Sequence, residues 1–281
     1  AGVEVSGGSA ANTIAGLASL GGRGAYIGKV QKDQLGEVFT HDIRALDVHF
    51  ATPPLSEGPS TARCLIFVTP DAQRTMCTYL GACAELRRRG CRPGPRPRQR
   101  VTYLEGYLWD PPRAKEAFQK AARLAHEAGR KLALSLSDAF CVERHREDFR
   151  DLVEHHVDVL FANETEIMAL YQTASFDEAA AQVRRQTDVA VLTRSERGSL
   201  IFARDAQVEV GVERIGNVVD TTGAGDLYAA GFLYGYTHGM DLGASGRLGA
   251  LAAAEVISHF GPRPEADLRQ LARAHGVALG A

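Results

Sequence analysis

The sequence predicts an α/β fold organised on a mainly parallel sheet. Three observations carry that prediction. Short β-rich runs alternate with helical stretches between residues 101 and 203. The connections are long enough for right-handed crossovers. Residues with chemical potential (Glu105, Asp138, Asn163, Glu166 and Thr193) all fall at the C-terminal ends of the strands, where open parallel sheets bind ligands.

Composition bounds the function. At 281 residues and 45% hydrophobic, the chain can fill one large α/β domain or two small ones. No apolar run approaches the roughly 20 residues of a membrane span, and no signal-peptide pattern opens the chain. Five cysteines (64, 77, 83, 91 and 141) are odd in number and lack CxxC pairing, so a reduced, cytoplasmic protein is expected.

The elements follow in order. Ala1 to Val5 has strand character, and Ser6-Gly7-Gly8-Ser9-Ala10-Ala11-Asn12-Thr13 turns into a helix through Leu20, stopped at Gly21-Gly22. Adjacent glycines let backbone approach a ligand, and Asn12 offers a donor and an acceptor to a hydroxyl; a plain helix-entry turn is the alternative. Ala25 to Val30 reads as a strand and Asp33 to about Leu46 as a helix. Arg63–Thr69 and Thr75–Leu80 form β-rich runs around a polar turn, which predicts a hairpin. Arg74, at that turn, either reaches a ligand or stays exposed.

Residues 87–100 carry seven arginines and no acid, leaving 25 basic against 34 acidic residues elsewhere. Arginine and proline at this density build neither helix nor core. With no aromatic residues interleaved for base stacking, a loop or a reading-frame slip fits better than a nucleic-acid arm. Strands then follow at 101–104, 131–136, 157–161, 189–193 and 199–203. Helices are expected from Pro111-Pro112 to about Gly129, at 150–155, after Asn163 (where a helix cap with an exposed Glu166 is the plain reading), over 177–186, and over 252–261.

The most informative stretch is Asp220-Thr221-Thr222-Gly223-Ala224-Gly225-Asp226, leading into an apolar helix. A small-residue turn at a helix start presents free N–H groups and the positive end of the helix dipole to an anion. Asp226, in the same turn, is placed to take a proton from an attacking hydroxyl. A helix cap is the alternative for a lone Asp. There is no Walker motif and no GxGxxG fingerprint.

The run Asp-Thr-x-Gly-Ala-Gly-Asp-x-x-x-Ala-Gly closely resembles the C-terminal signature of PfkB-type, ribokinase-like carbohydrate kinases, and the 6–36 and 62–82 regions resemble the same family. The resemblance implies a mainly parallel sheet flanked by helices on both faces, with a small β lid at about 51–81, in a single domain over 1–281. It implies ATP-dependent phosphoryl transfer to a sugar or nucleoside hydroxyl. Asp226 would be the base and Gly223, Ala224 and Gly225 the anion hole. Gly7, Gly8, Asn12, Glu105 and Arg74 would meet the acceptor. Asn163, Thr193, Gly198, Thr222 and Gly261 would serve the nucleotide. Mg2+ would be held near Glu166 through water, and a monovalent cation such as K+ by carbonyls around Asp220, Thr222 and Gly261. Ser195 stands where the nucleotide turn of the family has its first glycine.

The wording of the motifs is most similar to bacterial members grouped with adenosine kinase; ribokinase, fructokinase and ketodeoxygluconate kinase types are the rivals. Nothing before Gly7 supplies the family's Gly-x-x-x-x-Asp strand, so a chain lacking its first strand and part of its lid is expected. An inactive nucleotide-binding relative is therefore a further alternative. The expected partners are small molecules, with neither nucleic acid nor membrane, and both monomer and dimer stay open.

Overall fold

A computed structural model describes residues 2–87, 100–203 and 206–280. Almost all of the Arg/Pro-rich segment lies outside them. The chain divides into two compact units, Ala1–Leu86 with Val212–Ala281, and Arg87–Gly211. Among the described residues no helix is long and apolar enough to cross a membrane.

The first unit opens with irregular residues 2–8, which differs from the strand expected over 1–5. Val3 and Val5 are exposed, and an extended segment becomes a strand only where another backbone takes its polar groups. Helix α1 (Ser9–Ser19) follows and ends as predicted. The amides of Gly21 and Gly22 turn back to the carbonyls of Ala18 and Leu17 at 2.8 and 2.9 Å. The strand expected over 25–30 shrinks to β1 (Ala25–Tyr26), because Val30 and Lys32 bond to Leu55 instead of continuing the ladder. Helix α2 (Gln34–Ala45) is capped by Asp33, and β2 (His49–Phe50) returns parallel to β1. Burial pushes the Asp33 carboxyl up, but hydrogen bonds from Thr61 and Gly36 outweigh it and hold the group below the usual carboxylate range. Strands β3 (Arg63–Val68) and β4 (Arg74–Tyr79) form the predicted antiparallel hairpin, with Val68 paired to Arg74 at its tip.

The second unit is a six-stranded mixed sheet with its own core. Its elements are β5 (Val101–Glu105), α3 (Pro112–Glu127), β6 (Lys131–Ser135), α4 (Ala139–Arg144), α5 (Arg146–His155), β7 (Val159–Asn163), α6 (Glu164–Tyr171), α7 (Phe176–Val183), β8 (Val189–Thr193), β9 (Ser199–Ala203) and β10 (Ala206–Val210). The strands lie in the order β5-β6-β7-β8-β9-β10. The first four run parallel through helical crossovers. Five residues between β8 and β9 are too few for a crossover, so β9 and then β10 run antiparallel. Even-numbered side chains of β6 to β9 (Leu134, Leu160, Leu192, Phe202) pack with Phe118, Phe149, Ile167 and Val183 from the helices. Burying each of these contributes roughly 1.5–3 kcal/mol. Helix α4 and strand β10 are not evident in the sequence pattern, since both are short and β10 is largely exposed.

The chain then completes the first unit with α8 (Ala224–Thr237), α9 (Leu242–Val256) and α10 (Leu268–Ala274). The helix expected over 252–261 is the tail of α9 and stops earlier. The Ile257 carbonyl leaves the helical ladder to accept the Val219 amide at 2.8 Å. Leu227, Ala230 and Tyr234 of α8 join Leu20, Leu248 and Leu251 in the core of this unit.

Helix α1 lies against α8 at Gly16, where a Cβ would fall 2.4 Å from Leu227 Cδ1 and 2.9 Å from Ala230 Cβ. Gly16→Leu is expected to lose about 2–3 kcal/mol of stability through overpacking. An unchanged urea midpoint would show that the two helices do not approach this closely.

Candidate active site

In the first unit the stretch expected to meet an anion forms as a tight turn before α8. Gly223 has φ 83° and ψ −3°, and a Cβ there would sit 2.8 Å from the Pro262 carbonyl oxygen. Backbone conformation and close packing therefore both require glycine at this position. No side chain caps α8, and Gly225 faces open space. The amide of Ala224 reaches back to Thr221 O at 3.3 Å. The helix start thus combines small residues, room and the positive end of the dipole.

Asp220 holds this turn from below. It is buried, and its Oδ1 accepts the amide and hydroxyl of Thr222 at 2.9 and 2.6 Å. Its Oδ2 accepts the amide of Gly261 at 3.2 Å. The residues expected around a monovalent cation, Asp220, Thr222 and Gly261, are thereby brought together, with the carboxylate itself committed to ordering the loop.

Asp226 meets the N-terminal Gly-Gly-x-x-x-Asn turn directly. Its Oδ1 accepts the Ser9 hydroxyl at 2.7 Å, and its Oδ2 accepts the Asn12 side-chain amide at 2.9 Å. Loss of hydration pushes the carboxyl up to about 6, against the lowering effect of the Asn12 and Ser9 hydrogen bonds and the Arg74 charge. Gly8, at φ 98°, turns the chain into α1, and its carbonyl accepts the Asn12 amide at 2.8 Å. A Cβ on Gly7 would lie 3.8 Å from Pro262 Cγ, an ordinary contact, so packing within the protein does not demand glycine there. Asn12 is 4% exposed, and its Oδ1 is buried without a hydrogen-bond partner.

Arg74 is exposed, as the second of its two readings had it, but it has a partner within the protein. Its guanidinium donates to the Thr221 hydroxyl, which joins the tip of the hairpin to the turn before α8. Sequence reasoning passed over Ser9 and Thr221. The available signal was that Ser9 and Asn12 stand three apart, on one face of a helix.

In the second unit the strand-end residues assemble separately. Asn163 and Glu166 form a reciprocal capping box at the start of α6. Glu166 is 6% exposed, and its two oxygens accept the Asn163 amide at 2.9 Å and Asn163 Nδ2 at 2.7 Å. The cap reading is thus correct for Asn163, while the acid is buried and not exposed. Thr193 pairs with Asn163 across β7 and β8. The following turn is tied to α6 by an ion pair between Arg197 and Glu164. Ser195 adopts φ 51°, so a serine here takes the left-handed conformation that suits glycine. Glu105 ends β5 opposite Ser135.

The profile of the pfkB family carbohydrate kinases matches residues 2–268. The solved adenosine kinase from Sinorhizobium meliloti is 55% identical, with a TM-score of 0.95 over 97% of this chain and 84% of that one. A probable sugar kinase from Rhizobium etli CFN 42 is 51% identical, with a TM-score of 0.96 over 98% of this chain and 84% of that one. The nucleoside kinase of Methanocaldococcus jannaschii is 27% identical over 91% of this chain and 80% of its own. The fold is accordingly ribokinase-like, a mixed sheet flanked by helices.

Gly198 closes the 194–198 turn at φ 75°, and a Cβ there would lie 2.0 Å from the Val210 carbonyl oxygen. Gly198→Ala is expected to cost more than about 2 kcal/mol, whereas Ser195→Gly changes stability by less than about 1 kcal/mol. Thermal denaturation of the two variants side by side checks this; equal melting temperatures would contradict the geometry of the turn.

Proposed function

Because the chain belongs to the pfkB family of carbohydrate kinases, we propose that it transfers the terminal phosphoryl group of ATP to a hydroxyl of adenosine. The observation that carries this reading is the contact of Asp226 with Ser9 and Asn12. It joins the motif that suits phosphoryl transfer to the one that suits a sugar hydroxyl. The likeness to the Sinorhizobium meliloti adenosine kinase supports adenosine as the acceptor. The likeness to the Rhizobium etli probable sugar kinase supports a second reading, in which the acceptor is a simple sugar.

The chemistry follows from the residues. The acceptor hydroxyl lies against Gly7, Gly8 and Asn12 and gives its proton to Asp226 as its oxygen forms the new O–P bond. The bond to the leaving nucleoside diphosphate breaks. The open N-terminus of α8 at Gly223, Ala224 and Gly225 stabilises the negative charge of the transferring group, and Arg74 adds a positive charge beside it. Burial gives Asp226 a proton affinity near that of a general base working at neutral pH. The same burial costs stability as pH rises from the unfolded carboxyl value of 3.8 through about 6, because the ionised group is the poorly solvated one.

In the second unit we assign Thr193, Gly198, Asn163 and Glu166 to ATP and Mg2+. Both oxygens of Glu166 are taken by Asn163, so this acid fits a magnesium ion through water and not as a direct ligand. Mg2+, when bound, neutralises phosphate charge. Glu105 is assigned to the acceptor, and Asp220, Thr222 and Gly261 to a K+ site built from carbonyls.

The test measures ATP consumption with adenosine, ribose and fructose in turn. Adenosine alone is expected to turn over; turnover of ribose or fructose instead would favour the second reading. Asp226→Asn should keep ATP binding and lower kcat by roughly 100-fold or more. In the wild type, kcat/KM should fall about tenfold per unit below about pH 6, since only the ionised carboxylate accepts the proton. A pH-independent rate between 5 and 8 would rule out Asp226 as the base.

A further inference from the structure

We propose that Ser9 is a positioning residue for the phosphoryl-transfer step. Its hydroxyl fixes the rotamer of the Asp226 carboxylate and leaves a lone pair on each oxygen for the acceptor. The proposal rests on the reading of Asp226 as the base.

Ser9 and Asn12 occupy successive turns on one face of α1, and each binds a different oxygen of the same carboxylate, at 2.7 and 2.9 Å. Two donors on one rigid helix, acting on both oxygens, set the two side-chain torsions of Asp226. The close seating of α1 on α8 at Gly16 keeps that helix in place. Ser9 is spared a local duty, since the helix begins at Gly8 without a side-chain cap. Its hydroxyl instead spans 217 positions of sequence to reach Asp226.

The two donors differ chemically. The Asn12 amide nitrogen can only donate, so its bond is best suited to the ionised carboxylate. A serine hydroxyl donates or accepts according to its rotation. When the acceptor proton arrives on Asp226, Ser9 can turn its hydrogen away and accept in return, keeping the contact through both protonation states. Among the described residues, Arg74 from β4 is the charged group that acts on Asp226, and the α1 groups that face it, Ser9 and Asn12, are neutral.

The experiment compares wild type, Ser9→Ala, Ser9→Thr, Asp226→Asn and the Ser9→Ala/Asp226→Asn double variant, using ATP with whichever acceptor turns over. Ser9→Ala should lower kcat about tenfold at unchanged KM for ATP and move the acidic limb of kcat/KM up by about 1 pH unit, because the carboxylate loses a donor. Ser9→Thr restores a hydroxyl and should recover activity to within about threefold of wild type. In the Asp226→Asn background, Ser9→Ala should change the residual rate by less than about twofold, as coupled residues do. A wild-type pH profile in Ser9→Ala, or the same fold-loss in both backgrounds, would overturn the role of Ser9 while leaving Asp226 as the base. Normal turnover by Asp226→Asn would remove the base itself, and the role of Ser9 with it.

Discussion

The carboxylate of Asp226, held between Ser9 and Asn12, is the interaction on which the candidate site depends. Loss of hydration raises this carboxyl to about 6, against two neutral donors and the Arg74 charge, which lower it. Weaker donors would let the carboxyl stay protonated at working pH. A closely paired cation would instead make it too weak a base. The balance reached here suits a group that must take up a proton during the reaction and release it afterwards.

That balance is a product of helix packing. Helix α1 reaches α8 closely only because Gly16 presents no side chain, and α8 in turn meets α9 at backbone distance through Gly231 and Gly249. The small residues along these helices therefore act on the site from a distance. They bring the start of α1 to the start of α8, where two motifs more than 200 residues apart in sequence become neighbours.

Within each unit, acidic side chains also serve the architecture. Asp220 spends both carboxylate oxygens on Thr222 and Gly261, Asp33 on Thr61 and Gly36, and Glu166 on Asn163. Each fixes its turn, and for the buried Asp220 and Glu166 the satisfied oxygens also make burial tolerable. Positioning of backbone amides, and not a dense array of ionised groups, is the strategy of both units.

Much of this was legible in the chain by itself. Local signals are complete where an element is stabilised by its own neighbours. The capping pattern at Asn163–Glu166, the hairpin of β3 and β4, the crossovers between β5 and β8 and the small-residue turn at 223–225 all read correctly, and the full run from Asp220 through Asp226 to Gly231 pointed to phosphoryl transfer. Elements whose extent depends on a distant partner did not read correctly. Residues 2–5 have strand composition but, among the described residues, no pairing strand; β1 stops where Val30 and Lys32 turn to Leu55, and α9 ends where Ile257 accepts from Val219. The reach of Arg74 to Thr221, the hydroxyl of Ser9 on Asp226 and the burial that raises that carboxyl were likewise decided only in three dimensions. Hydrogen bonds and desolvation depend on which atoms meet, and no periodicity along a chain records that.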